Sequence, residues 1–229
     1  MRFDRFERLI GKKTVLELSH IKVAVFGLGG VGGYVVEGLV RSGIGNIILC
    51  DFDKVDITNI NRQIIALDST IGMFKTDVLE KRILDINPDI NILKYTVKAE
   101  KRIIEEILKK QPDFVVDAID DVSAKVCLIK TAKRRNIPII SSMGFANKLH
   151  PEKIYLSTLK ETSVCPLSKV MRKKLKEVDE SLNIPVVYSK ETPIKLEDNS
   201  VLSSSAYCPS VAGLMISSYV INRLIGETK

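Results

Sequence analysis

Short apolar runs alternate with stretches of helical spacing over the first two thirds of the chain. Lys22-Val23-Ala24-Val25-Phe26-Gly27 is apolar after its lysine and ends in glycines, as a parallel strand buried on both faces does. A helical stretch runs on to about Ser42, and Asn46 to Asp51 predicts a second strand. Lys75 to Ile86 then predicts a helix stopped by Asn87-Pro88, Asn91 to Val97 a strand, and Glu100 to Lys110 a helix. Asp113 to Asp117 predicts a strand and Val122 to Arg135 a helix, whose last turn carries Lys133, Arg134 and Arg135, the charge that suits a helix carboxyl end. Ile137 to Ser142 predicts one more strand. From about Leu149 the pattern is less regular: a helix from about Pro166 to Val178, an extended Pro185-Val186-Val187-Tyr188, and a final helix from about Pro209 to Ile225.

Strands alternating with helices at this spacing imply an α/β fold, a Rossmann-like and mainly parallel sheet with helices on both faces. Ligands of such sheets lie at the carboxyl ends of the strands, here after Phe26, Cys50, Val116 and Ile140. A chain of 229 residues can bury roughly 70% of its unfolded surface without staples. No repeat or linker divides it, so a single domain is expected over 1–229, with a regularly alternating part at about 20–148 and a less regular part at about 149–229.

Composition narrows this further. Hydrophobic residues at 45% and charged residues at 28% exclude a disordered tail protein. The net charge of +7 favours an anionic partner without naming one. Cys50, Cys127, Cys165 and Cys208 stand far apart with no C-x-x-C pair, and His20 and His150 add no cluster; reduced thiols in a cytoplasmic protein are expected. The two histidines are expected at the surface, Cys50 and Cys127 in the core. The longest apolar stretch, Val211 to Ile221, has 11 residues against the roughly 20 a membrane span needs. The amino terminus lacks the apolar run of a secretory signal.

Candidate chemistry begins at Gly27-Leu28-Gly29-Gly30-Val31-Gly32, a G-x-G-x-x-G directly after a strand and opening a helix. Gly27, Gly29, Gly30 and Gly32 let backbone N–H groups approach a phosphate, and the helix dipole favours its charge. Asp51 ends the next strand, where an acid accepts hydrogen bonds from ribose hydroxyls. A dinucleotide is the default ligand, but Thr58-Asn59-Ile60-Asn61-Arg62-Gln63 and Lys75 follow. A triphosphate needs added cations and amides, which Arg62, Lys75 and Asn59 supply. Asp120 is a carboxylate at the mouth of the sheet; beside polyphosphate it calls for Mg²⁺ between them, while its alternative is to cap the helix that begins near Val122.

These residues, with Asp51-Phe52-Asp53 and Ala118-Ile119-Asp120-Asp121, resemble the adenylation core of the ubiquitin-activating-like superfamily, a ThiF-type domain. The resemblance implies attack of a carboxylate on the α-phosphate of ATP, giving an acyl-adenylate and pyrophosphate. It implies that Asp51 binds ribose, that Asn59, Arg62 and Lys75 hold phosphates, and that Asp120, with Asp121 beside it, works at the metal and α-phosphate. Arg2-Phe3-Asp4-Arg5 is similar to the superfamily's leading R-x-x-R, which makes Arg5 a candidate to reach the neighbouring subunit's ATP in a homodimer; the alternative is a solvated surface arginine.

The sulfur-carrier activators of that superfamily usually carry two zinc-binding C-x-x-C pairs, absent here. Ile137 to Gly144, Asn147-Lys148-Leu149, Thr162 to Leu167, Val170 to Lys173, Val186 to Glu191 and Pro209 to Gly213 instead resemble the tRNA threonylcarbamoyladenosine dehydratase family. That resemblance implies ATP and Mg²⁺ as cofactors, a tRNA carrying threonylcarbamoyladenosine as substrate, cyclisation of its activated carboxylate with release of AMP, and a sulfur-transfer protein as a possible accessory. Independently, Lys169, Arg172, Lys173 and Lys176 form one stripe at helical spacing, opposite Leu167, Met171, Leu175 and Val178. Such a stripe suits a phosphate backbone; a merely solvated basic face is the alternative. Cys165 precedes a helix, which can lower a thiol pKa, but ring closure is intramolecular, so a structural or substrate-lining cysteine is preferred. The rival readings are adenylation of a sulfur carrier's terminal glycine, a dinucleotide-dependent oxidoreductase, which leaves Asn59, Arg62 and Lys75 without a shared task, and a non-catalytic RNA- or partner-binding module.

Overall fold

The computed structural model describes residues 2–197 and 203–226. Seven strands form one sheet: β1 (Lys22–Phe26), β2 (Asn46–Cys50), β3 (Asn91–Tyr95), β4 (Phe114–Asp117), β5 (Ile139–Ser142), β6 (Ile154–Thr158) and β7 (Pro185–Ser189). Their order is β3-β2-β1-β4-β5-β7-β6. Every neighbouring pair is parallel except β6 with β7. The chain reverses direction across the sheet after β3, when β4 returns to the other side of β1. That change of direction opens the crevice in which ligands of such sheets sit.

The helices are α1 (Asp4–Ile10), α2 (Lys12–Leu18), α3 (Gly32–Arg41), α4 (Lys75–Ile86), α5 (Lys101–Leu108), α6 (Val122–Arg134), α7 (Pro166–Lys176) and α8 (Tyr207–Leu224). Two cores follow from the two-residue period of the strands. Val23, Val25, Ile47 and Leu49 point into one layer with side chains of α3, α4 and α8. Ala24, Phe26, Ile48 and Cys50 point into the other, with α5, α6 and α7. Each fully buried aliphatic or aromatic side chain contributes about 1.5–3 kcal/mol, which is why the central strands carry almost no polar residue until their carboxyl ends.

The sequence pattern locates every strand but β6, and most boundaries to within two residues. It gives no sign of α1 and α2. Each has only seven residues, and α1 fully buries none of its side chains; Phe6 and Ile10, which pack against the core, are too short a run to predict a helix. β6 exposes both Tyr155 and Leu156 and so lacks the alternation of a half-buried strand; pairing with β7 makes it. His20 and His150 are exposed as expected, and Cys50 is buried, but Cys127 is only half-buried.

Candidate active site

At the carboxyl end of β1 the chain turns sharply into α3. Gly27 has φ of +83°, and a Cβ there would meet the Ala118 carbonyl oxygen at 2.5 Å; one on Gly32 would lie 1.8 Å from the Gly27 carbonyl oxygen. Only glycine fits both places. The N–H groups of Gly29 and Gly30 donate no backbone hydrogen bond among the described residues. They stand at the amino end of a ten-residue helix, which favours an anion.

Asp51 follows β2 and is tied to this turn. Its Oδ2 accepts from the Leu28 N–H at 2.6 Å and its Oδ1 from the Asp53 N–H at 2.8 Å. Burial pushes its carboxyl above the usual range; Lys75 and the two amides offset only part of that. Lys75, the first residue of α4, is 5% exposed, and its Nζ sits 2.7 Å from Asp53 Oδ2. An ammonium has three N–H groups, so this ion pair leaves two for a ligand.

The 57–63 segment closes over the glycine turn. Asp56 caps a short 3₁₀ turn, Ile57–Asn59, and the Asn59 side-chain carbonyl accepts from the Asp56 N–H at 3.2 Å, so the buried Asn59 presents its NH₂ end. Arg62 Nη1 donates to the Thr58 carbonyl at 2.7 Å and to Asn61 Oδ1 at 3.0 Å. Its stem lies against Gly30: a Cβ there would be 3.4 Å from Arg62 Cγ and 3.2 Å from Pro209 Cβ of α8. Gln63 Nε2 is 3.7 Å from where a Gly29 Cβ would stand, and its buried Oε1 has no hydrogen-bond partner among the described residues.

Asp120 lies in the loop after β4, the loop whose first residue, Ala118, backs Gly27. It is exposed. The helix cap that its position left open belongs to Asp121, whose Oδ1 accepts from the Ala124 N–H at 2.7 Å. Gly27, Gly29, Gly30, Gly32, Asp51, Asn59, Arg62, Lys75 and Asp120 therefore gather at one end of β1, β2 and β4. Cations, amides and one free carboxylate around one crevice can hold a polyphosphate and draw charge from its phosphorus atoms. Sequence reasoning did not single out Asp53 or Gln63 as site residues, although both stand beside residues that it did single out.

Other candidates lie elsewhere. Arg5 is exposed and lines a cleft of about 590 Å³ with Arg2, Phe3, Asp4, Phe6, Arg8 and Arg41. Arg41 ends α3, about 15 Å along that helix from the glycine turn. On α7, Lys169, Lys173 and Lys176 are exposed, but Arg172 is half-buried and donates to the Thr162 carbonyl at 2.9 Å and to its hydroxyl. The four-residue stripe is thus a three-lysine stripe, because the long arginine folds back to tie α7 to the preceding loop. Cys165 precedes α7 and is 2% exposed. Burial raises its thiol, but the Ser168 hydroxyl, the Ser168 and Gly144 amides and the Lys148 ammonium bring it below the usual value. Among the described residues no three of His, Cys, Asp and Glu gather to hold a metal ion, and no helix is long and apolar enough to cross a membrane.

Comparison with known proteins agrees with this geometry. A tRNA threonylcarbamoyladenosine dehydratase of Bacillus subtilis is 38% identical over 98% of this chain and 95% of its own length. One of Escherichia coli is 35% identical over 76% of this chain and 65% of its own. The crystal structure of the E. coli tRNA N6-threonylcarbamoyladenosine dehydratase in complex with ATP superposes with a TM-score of 0.93 at 29% identity, covering 99% of this chain and 94% of that one. The match to the family model runs over residues 3–229, beyond the nucleotide crevice and through α7 and α8, and by it the chain belongs to the ThiF family.

Proposed function

We propose that this chain is an ATP-dependent adenylating enzyme that cyclises threonylcarbamoyladenosine in tRNA. The observation that carries this reading is the likeness to a dehydratase at 38% identity over 98% of this chain, with Asn59, Arg62 and Lys75 gathered at one crevice. A carboxylate oxygen of the modified base attacks the α-phosphorus of ATP, the bond to the bridging oxygen breaks, and pyrophosphate leaves. A nucleophilic atom of the same side chain then attacks the acyl carbon, and AMP departs with the carboxylate oxygen, so one water is lost overall.

Asp51 accepts the ribose hydroxyls. Lys75, with two N–H groups unspent, Arg62 and the Asn59 amide hold the phosphates as charge builds on their oxygens, each such donor lowering a barrier by about 2.7–4 kcal/mol where measured. Asp120 fits Mg²⁺, which binds through one or two carboxylates together with phosphate oxygens; the ion would neutralise phosphate charge. Asp121 stands beside it with one oxygen committed to the helix cap. No protein nucleophile is required, consistent with Cys165 lying sealed in the core.

A homodimer is part of the same proposal. Leu9 of α1, Leu16 of α2, and Ile57 and Leu67 of the 57–70 segment are more than half exposed, apolar surface that a partner subunit would cover. Arg5, at the far end of α3 from its own glycine turn, is then the residue offered to a partner's ATP. Lys169, Lys173 and Lys176 are the tRNA contacts, a sulfur-transfer protein is a possible accessory, and the cytoplasm is the proposed compartment.

The test is incubation of the purified chain with ATP, Mg²⁺ and tRNA carrying the modification, with AMP assayed beside nucleoside mass spectrometry. Loss of one water from the nucleoside, matched by AMP, is expected. AMP formed only when a sulfur-carrier protein replaces the tRNA would overturn the assignment.

A further inference from the structure

Lys125 is wholly buried, and an unmatched charge in that position is strongly unfavourable. Its Nζ reaches three oxygens: Asp117 Oδ2 at 2.9 Å, the Ile119 carbonyl at 3.1 Å and the Ser142 carbonyl at 2.8 Å. Two of the ammonium hydrogens go to the carbonyls, and the charge is matched by the Asp117 carboxylate. Lys125 is thus an internal cation, 0% exposed and out of a ligand's reach.

What it holds is the loop that carries Asp120. Asp117, the last residue of β4, is equally sealed; its Oδ2 also accepts from Ser141 Oγ of β5 at 2.5 Å, and its Oδ1 accepts from the Ile119 N–H at 3.2 Å. Both backbone groups of Ile119 are thus gripped, the N–H by Asp117 and the carbonyl by Lys125. On the other side, Asp121 is fixed by its bond to Ala124 N–H. Asp120 is the exposed residue between two immobilised neighbours, in a loop that also backs Gly27.

We infer that Lys125 is a positioning residue: with Asp117 and Ser141 it sets the place of the Asp120 carboxylate relative to the phosphates. This rests on the proposed role of Asp120 at the metal and α-phosphate. The ion pair joins β4, β5 and α6 under the loop, so its loss frees Asp120 to move while the crevice around Lys75 stays as it was.

The experiment compares wild type, K125M, D120N and the double variant, each checked for folding by circular dichroism. Turnover is read at saturating ATP, and the half-saturating Mg²⁺ concentration is read without turnover, from ATP binding followed by calorimetry across a Mg²⁺ series. K125M is expected to lower turnover roughly ten- to hundredfold, as an ångström of misplacement does, and to raise the Mg²⁺ requirement. In the D120N background the same substitution should change turnover little, because the group it positions is gone. An equal loss in both backgrounds, or an unchanged Mg²⁺ requirement, overturns the positioning role. Normal turnover of D120N alone overturns the Asp120 reading itself, a distinct result that removes the basis for the inference with it. Should K125M fail to fold, S141A takes its place, losing only the hydroxyl on Asp117; a smaller loss of about three- to tenfold, again absent in D120N, is expected, and wild-type behaviour of S141A overturns the proposal.

Discussion

Lys75 and Asp53 meet at 2.7 Å, with the lysine side chain 7% exposed and the aspartate 47%. A cation at the first position of a helix stands at the wrong end of its dipole, so Lys75 relies on nearby anions. Asp53 supplies one, and a phosphate would supply the next. K75A is therefore expected to abolish ATP-dependent turnover with the fold intact. D53N should lower the melting temperature without nucleotide, corresponding to roughly 1–3 kcal/mol because the aspartate is half in solvent. ATP should then raise the melting temperature of D53N more than that of wild type, since the nucleotide replaces the missing charge. A rise equal to or smaller than that of wild type would count against a phosphate role for Lys75.

Gly27 is predicted to tolerate no side chain. G27A places a Cβ against the Ala118 carbonyl and asks an L-residue to hold a positive φ, so the turn or the 118–121 loop must shift. Nucleotide binding, followed by calorimetry, should be lost or weakened beyond tenfold even if the protein folds. Wild-type affinity in G27A would show that the turn is not packed as described.

How much of this could be read from the chain depends on where each signal is stored. The strands announce themselves because Val23 to Phe26 and Ile47 to Cys50 are buried on both faces and carry that burial as composition. The glycines are legible by their spacing after a strand, and Asp51, Asn59, Arg62 and Lys75 are legible as candidates because each bears its chemistry in its own side chain at a motif position. The Lys125–Asp117 brace is not: it exists only where the end of β4 lies beside β5 and α6. Arg172 misled for the converse reason. A helical wheel fixes its Cα on the basic face, but the flexible stem carries the guanidinium back to Thr162, a choice that spacing cannot encode.

That difference separates two kinds of substitution on α7. Reversing Lys169, Lys173 and Lys176 to glutamate should weaken tRNA binding and flatten its salt dependence by about 0.9 in the log–log slope for each phosphate that is no longer neutralised, with little change in thermal stability. R172A should instead lower stability, because the Thr162 oxygens lose their partner in a partly buried place. Filter binding across a salt series together with melting curves separates the two. A slope unchanged by the triple reversal would make the stripe ordinary solvated surface.

Arg5 offers a test of the dimer. If it acts on a partner's nucleotide, subunits carrying R5A mixed with subunits carrying D120A should form some dimers with one complete site, and part of the activity should return. Each variant alone should be nearly inactive. The recovered fraction is to be measured after dissociation and reassociation, with mixed dimers verified by differently tagged subunits. Absence of recovery in verified mixed dimers would count against action across the dimer, and full activity of R5A alone would make Arg5 a solvated surface residue.

The last prediction concerns pH. Glu37 of α3 is buried, which raises its carboxyl, but Arg82 and Arg41 hold it at 2.7 Å each and bring it below the usual carboxylate value. A carboxylate with a depressed folded pKa adds stability that is fully present above its unfolded pKa, about 4.3, and is lost as pH falls through the folded value. The clamp joins α3 to α4, the two helices that open with Gly32 and Lys75, so its loss reaches the nucleotide crevice. Wild type should therefore lose stability relative to E37Q as pH is taken below about 4.3, and the gap between them should be widest near neutrality. Denaturant melts at pH 7 and at low pH measure this directly. A gap independent of pH would mean that the Glu37 contribution is packing and not charge.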